Sequence, residues 1–255
     1  AAHSRGKILS CRPKDHHTAA GHILTAVIPH AFHNRRCSGI AHTEPLPGNA
    51  VDKCLSAGRP VKRHISDNNI FFETKKDYAK EMVTGFIRLN GMTIGAVANR
   101  SKVYDAEGNA EDFDTVLTVD GCKKAADFIN FCDAFSIPVL TLTNVTGYEA
   151  TKESEKNMAK SVAKLTYAFA NATVPKVNVI IGQAYGSAYV TMNSKSLGAD
   201  MVYAWTDAEI GMMDSSLAAK IMYAGADADT LKEKAAAYKE LQSSPLSAAR
   251  RGYVD

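Results

Sequence analysis

From Ile65 onward the apolar positions fall into a repeating order of short runs and helical stripes. Met82–Leu89 is an apolar run of strand length and residues 92–98 form a second; Asn90-Gly91 between them is a two-residue hairpin signal. Residues 71–78 lead into this pair, and residues 101–114, polar and acidic, read as a loop. Over residues 121–135, Ala125, Phe128, Ile129, Cys132 and Phe135 recur at helical spacing. Residues 138–142 read as a short buried strand and residues 144–155 as a loop containing Gly147. Residues 157–172 read as a helix with Met158, Val162, Leu165 and Phe169 on one stripe. An apolar run over 177–181 then meets a Gly/Ser/Ala turn and a short helix. Beyond it the pattern predicts a strand at 200–205, a short apolar piece at 210–213, helices over 216–223 and 229–241, and a last turn and helix from Pro245.

Strands alternating with helices at this spacing imply βαβ units and a mainly parallel sheet. Ligands in such folds sit beyond the carboxyl ends of the strands. Two loops are expected there, at 144–148 and 183–188, facing one pocket. The second carries the more telling chemistry. Val177, Val179, Ile180 and Ile181 suit a strand covered on both faces, and Gly182 and Gly186 punctuate its end. Gly186, Ser187 and Ala188 are small enough for a substrate to approach the backbone. Backbone N–H groups that open a helix have no internal acceptor and stabilise an oxyanion without a catalytic side chain. Around this turn, Tyr185 and Tyr189 read as core residues, since an ordinary Tyr pKa of ~10 is poor for proton transfer at neutral pH. Cys122 and Cys132 read as core thiols, Met212-Met213 as core, Lys195 as a solvated lysine, and Arg250-Arg251 as capping or solvating the last helix.

Charge separates the first 64 residues from the rest. They hold ten Lys/Arg against three Asp/Glu and all eight histidines, whereas residues 65–255 hold twenty Lys/Arg against 24 Asp/Glu. They show no sustained periodicity, and Pro13, Pro29, Pro45, Pro47 and Pro60 interrupt them. They therefore read as an irregular, basic, His-rich segment, 1–64, of a composition that a shifted or recombined reading frame also produces. His16-His17, His30, His33 and Cys37 are spaced too loosely for a metal site, so no metal is expected. Little aromatic interleaving accompanies the basic residues, so no nucleic-acid partner is expected. The five cysteines are odd in number and form no CxxC pair, which argues for a reducing, cytoplasmic setting. No apolar run reaches the ~18 residues that would span a bilayer, so no stable membrane insertion is expected.

At the two expected loops the chain resembles the carboxyltransferase subunits of biotin-dependent acyl-CoA carboxylases and decarboxylases. These are the propionyl-CoA carboxylase beta type and the methylmalonyl-CoA and glutaconyl-CoA decarboxylase type. The resemblance is carried by KDYAKEMVTGFIRLNGMTIGAVANRS, GCKKAADFINFCDAFSIPVLTLTNVTGY, AKLTYAFANATVPKVNVIIGQAYGSAYVTMNSKSLGAD, MVYAWTDAEIGMM and SPLSAARRGYVD, in that order. It covers residues 65–255 and matches the C-terminal half of such subunits.

The resemblance implies an α/β crotonase-like ββα superhelix (the ClpP/crotonase fold). It implies a reaction in which a carboxyl group moves between biotin, held on a biotin carboxyl carrier protein, and an acyl-CoA. Gly186, Ser187 and Ala188 would then present backbone N–H groups to the biotin ureido oxygen. Gly147, Tyr148, Tyr185 and Val190 would line the substrate pocket. This chain departs from the family at Val145-Thr146-Gly147-Tyr148, where Val-Pro-Gly-Phe is usual. It also departs at Val190, where many carboxylases carry Asp after Ala-Tyr, and at Thr206, where Ala-Trp-Pro is common. The Val190 departure favours the decarboxylase-like branch. The family's N-terminal crotonase-like half, which supplies most of the acyl-CoA site, has no counterpart in residues 1–64. The resemblance therefore implies a homo-oligomer or a separate N-half partner, with an apolar interface. Two other readings are a non-catalytic assembly module or truncated remnant, and a crotonase-type hydrolase or isomerase acting alone on an acyl-CoA. The last needs a local acid or base beside the turn, and the sequence offers none.

Overall fold

The computed structural model describes residues 65–104 and 109–255. The histidines and Cys37 weighed as metal ligands lie outside the described residues. In chain order the strands and helices are β1 (Phe71–Thr74), β2 (Met82–Leu89), β3 (Met92–Asn99), β4 (Lys102–Tyr104), β5 (Ala110–Asp112), β6 (Val116–Leu117) and α1 (Val119–Ala134). There follow β7 (Val139–Val145), β8 (Gly147–Tyr148), α2 (Ser154–Asn171), β9 (Lys176–Tyr185) and α3 (Gly186–Thr191). The remainder is β10 (Met201–Ala204), β11 (Glu209–Gly211), α4 (Ser215–Met222), α5 (Ala228–Tyr238), a π-helical turn (Lys239–Ser243) and α6 (Pro245–Arg250).

The main sheet runs in the order β1-β2-β3-β7-β9-β10, with β11 also pairing with β9. The first two pairings are antiparallel; β3-β7, β7-β9, β9-β10 and β9-β11 are parallel. The parallel part thus comes from the segments whose crossovers carry helices, as expected. The β2–β3 hairpin turns on Asn90 and Gly91, both at positive φ (52° and 81°), the conformation that favours Asn-Gly in such turns. The polar stretch read as a loop carries the two-stranded ribbon β4–β5 instead. Its strands are three residues each and exposed in β5, so no apolar alternation marks them.

One face of the sheet is covered by α1 and α2, and its core joins Cys122, Ala125, Ile129 and Cys132 of α1 to Leu165 and Phe169 of α2. The two cysteines are buried free thiols, as the helix stripe implies. Phe135, expected on the same stripe, lies one residue beyond α1 and is 64% exposed. On the opposite face Ile87, Ile94, Leu140, Leu142, Val177, Val179 and Ile181 are buried in a second apolar cluster. Among the described residues no helix is long and apolar enough to cross a membrane.

Lys124 on α1 is 1% exposed, and its ammonium donates to the carbonyls of Tyr78 (2.6 Å) and Ala79 (3.2 Å). This ties the β1–β2 connection to the helix. Burial pushes its pKa down to about 8 from an ordinary 10.5. The unfolded chain therefore holds more protons than the folded one between those values, and stability rises with pH across that window. Cys122 and Cys132 act in the opposite sense. Burial holds both near 12 rather than 9.0, so stability is lost as pH climbs past 9. Between pH 8 and 9 Lys124 adds about 1 kcal/mol to the unfolding free energy, and the two thiols, which begin to ionise in the unfolded chain, offset about 0.7 kcal/mol of it. The expected result is a nearly flat profile over this interval, followed by a decline. Lys124→Met should turn it into a fall of about 0.7 kcal/mol in urea titrations at the two pH values. A variant with the same flat profile as wild type would show that Lys124 makes no such contribution.

Candidate active site

The expected site lies at the carboxyl ends of β7 and β9, but it is not built from two loops. β9 runs unbroken to Tyr185 and passes directly into α3, so Gly182 is a strand residue and Gln183 lies within the strand. On the other wall, Asn144 and Val145 end β7, and Gly147-Tyr148 form β8, which pairs with β6. A cavity of about 430 Å³ opens between these walls. Of the residues singled out in the sequence, Gly147, Tyr148, Tyr185, Gly186, Ser187 and Ala188 all line it. Val190 does not; it sits further along α3, 40% exposed.

The strand-to-helix junction has the geometry that backbone recognition requires. Gly186 adopts φ 58°, a conformation most side chains resist, and a Cβ there would lie 3.3 Å from the Met212 carbonyl oxygen. The preceding residue, Tyr185, offers no side-chain cap to the helix. The first-turn amides of α3 therefore have neither an intrahelical acceptor nor a side-chain cap. Ala188 is buried and Ser187 exposed.

A six-residue helix does not hold itself in place, and here a buried polar layer does so from beneath. Thr143 of β7 donates to the Asn178 side chain (2.8 Å), and Asn178 donates to the carbonyl of Met192, which ends α3 (3.2 Å). Asn193, at φ 56°, donates to Thr141 (3.1 Å). On the upper side, the Tyr148 hydroxyl meets that of Thr191 (3.0 Å), which itself donates to the Ser187 carbonyl (3.0 Å). Tyr148 thereby connects the β8 wall to the turn.

The rest of the cavity wall comes from a segment with little periodic signal in the sequence. Parallel pairing of β11 with the end of β9 places Gly211 opposite Tyr185 and brings Met212, Met213 and Asp214 to the cavity, with Leu217 of α4 behind them. Met212 is 76% exposed and Met213 half-buried, so the expectation that both are core residues is corrected. A three-residue strand carries too little periodicity to reveal which way its neighbours point. Asp214 was legible in principle: Asp-Ser-Ser before an apolar stripe is a helix start. Its carboxylate accepts from the amides of Ser216 (2.9 Å) and Leu217 (3.1 Å) and from the Ser216 hydroxyl.

These contacts decide what chemistry the cavity can perform. Among the described residues lining it, Asp214 is the one carboxylate, and the Ser216 hydroxyl and backbone amides hold it below the usual range as an ionised cap. Burial, and then the hydrogen bond to Glu209 (2.6 Å), pushes the Tyr185 hydroxyl far above its ordinary value. Glu209 is held in turn by Lys239 (2.5 Å). Neither group is poised to exchange a proton near neutral pH. Among the described residues no cluster of His, Cys, Asp and Glu could hold a metal ion. What the cavity presents is backbone N–H groups, small residues and apolar side chains.

The carboxyl transferase domain family matches residues 57–255. The chain belongs to this family. It is 45% identical over 204 residues to a putative propionyl-CoA carboxylase beta chain of Bacillus subtilis, covering 77% of this chain and 38% of that protein. It is 40% identical over 198 residues to the methylmalonyl-CoA decarboxylase subunit alpha of Propionigenium modestum, covering 75% and 37%. A structure of transcarboxylase 12S with hydrolysed methylmalonyl-coenzyme A bound aligns with a TM-score of 0.69 at 37% identity, covering 77% of this chain and 37% of that one. The fold of this carboxyl transferase domain is crotonase-like, and its homologues include a methylmalonyl-CoA carboxyltransferase 12S subunit, 37% identical over 204 residues. The chain spans less than two fifths of the length of these relatives. The family match also takes in residues 57–64, which the charge pattern had assigned to the basic segment.

Proposed function

We propose that this carboxyl transferase domain forms the biotin-facing side of a two-sided site, where carboxyl passes between carrier-bound biotin and an acyl-CoA. The observation that carries the reading is the pairing of uncapped first-turn amides with a cavity lacking any free acid or base. A ureido group is neutral, flat and rich in acceptor character at its oxygen, so it calls for N–H donors and small walls rather than a counter-charge. Gly147 fits the same demand, because a Cβ there would meet nothing within 4 Å and would extend into open space. When bound, biotin supplies the nitrogen that carries the carboxyl group.

The protein's part is electrostatic. The amides of Ser187 and Ala188 offer donors to an oxygen that gains negative charge as the N–CO₂ bond breaks, a contribution of ~3 kcal/mol per donor in comparable sites. Tyr148 and Tyr185 shape the walls, and Met212 and Leu217 keep one side apolar. A stand-alone hydrolase or isomerase is disfavoured because nothing in the cavity could shuttle its proton.

The apolar surface continues outward from the cavity through Leu217 and Ile221, which is 61% exposed. This is the surface where a second crotonase-like half, carrying the acyl-CoA side, would dock as an N-half partner or within a homo-oligomer. The biotin carboxyl carrier protein would reach the cavity through the same opening. The deciding assay mixes the chain with free biotin and methylmalonyl-CoA, with and without the amino-terminal half of the Bacillus subtilis relative. Biotin carboxylation only when both proteins are present is expected. Acyl-CoA hydrolysis by the chain alone would replace the reading with a stand-alone enzyme. No turnover together with no biotin-induced change at residues 186–188 would replace it with a non-catalytic module.

A further inference from the structure

Between the two cavity walls lies a pair of asparagines, Asn99 and Asn144. Asn99 ends β3 and is 4% exposed. Its side chain embraces the backbone of Asn144 near the end of β7, accepting from the Asn144 amide (3.0 Å) and donating to the Asn144 carbonyl. The Asn144 side chain then reaches across to β9 and accepts from the Gln183 amide (2.9 Å). It does so where the β7–β9 ladder breaks register: Thr143 pairs with Ile180, but Val145 pairs with Ala184. Two additional residues of β9 are accommodated there, and the Gln183 amide takes the Asn144 side-chain oxygen as its acceptor. Gly182 makes room for the bridge, since a Cβ at that position would lie 2.6 Å from the Asn144 side-chain oxygen. Thr146 and Gly147, just beyond Asn144, form one wall of the cavity; Gln183, its partner, belongs to the other.

We infer that Asn144, held by Asn99, is the positioning residue that sets the separation of the two cavity walls and hence the fit of the ureido ring between Gly147 and the Gly186–Ala188 amides. The bridge spans the register shift between Thr143 and Val145, where it ties the Gln183 amide to β7. The inference rests on the biotin-site reading for its consequence but not for its geometry, and the two are tested separately.

The experiment uses the full ¹⁵N-labelled chain with free biotin as the probe. Asn144→Asp keeps an oxygen acceptor of the same shape for the Gln183 amide. Asn144→Leu keeps the bulk and removes the acceptor. In ligand-free spectra, Asn144→Leu should shift the amides of Gly147, Gln183 and Gly186 and speed hydrogen exchange at Gln183, with Asn144→Asp close to wild type. On titration, Asn144→Leu should weaken biotin binding by roughly tenfold or more, the loss of one hydrogen-bonded positioning contact, and Asn144→Asp should restore it. Spectra and binding of Asn144→Leu that match wild type would overturn the inference. If wild type itself shows no biotin response, the biotin reading fails and the clamp is judged on the ligand-free spectra alone. Should Asn144→Leu fail to fold, Asn99→Asp serves. It leaves the Gln183 contact intact but sets an acceptor against the Asn144 carbonyl, and unchanged amides at Gly147 and Gln183 there would sink the proposal.

Discussion

Replacing Gly186 by alanine should lower kcat for carboxyl transfer in the assembled enzyme by roughly 10²–10³ while leaving the domain folded. The cost to stability is bounded: a non-glycine residue at φ 58° carries about 1–2 kcal/mol of backbone strain. The new Cβ also faces the Met212 carbonyl at 3.3 Å, tighter than ordinary packing, so the junction relieves itself by rotating the first turn of α3. Thr143, Asn178 and Asn193 hold the far end of the helix from inside the sheet, so the rotation is confined to the end that bears the amides. Donors that leave their aim lose most of their worth in the transition state, because a misdirected dipole stabilises little developing charge. Ser187→Ala is the companion variant. It deletes a hydroxyl but keeps the amide, so backbone recognition requires it to retain near-wild-type kcat. Loss of activity in Ser187→Ala with survival of Gly186→Ala would move the chemistry to the hydroxyl.

What the sequence disclosed follows from where the physical signal is strong. Periodicity placed β2, β3, α1, α2 and the core of β9 because each is long enough to repeat its apolar spacing, and the Asn90-Gly91 turn has a near-unique backbone demand. The small-residue turn after β9 was legible from its own pattern, the resemblance assigned it a ligand, and the structure places six of the seven residues singled out around one cavity. Three parts stayed hidden for different reasons. Gly182 looked like the end of a strand, whereas its missing side chain serves the Asn144 bridge inside one. The third wall, from Met212 to Leu217, depends on a three-residue parallel pairing that only tertiary geometry supplies. The polar layer beneath α3 consists of Thr and Asn residues spaced within otherwise apolar strands. Threonine is common in strands, and nothing local tells a buried partner from a solvated one.

The largest effect on stability is expected at Phe169. Phe169→Ala should destabilise the domain by about 3–5 kcal/mol, the usual cost of deleting a fully buried aromatic ring and leaving a cavity. Phe169 is wholly inaccessible and stands where α2 meets the cluster that also holds Ile129 and Cys132 of α1. Close packing leaves its neighbours little room to collapse into the gap. Its carbonyl also anchors the buried Lys176 ammonium (2.7 Å), which burial pushes below its ordinary pKa. Local relaxation of the α2 backbone into the gap would weaken that contact, so the cavity cannot close cheaply. Phe135→Ala provides the contrast. The helical pattern places both phenylalanines on apolar stripes, but Phe135 is 64% exposed and stacks mainly on Phe131, with ring centroids 4.5 Å apart. Losing that stack should cost about 1 kcal/mol or less. Urea unfolding of the two variants separates the cases, with a large fall in midpoint for Phe169→Ala and a small one for Phe135→Ala. Equal midpoints would mean that Phe135 is covered in solution, and would turn its exposed aromatic face into part of an interface.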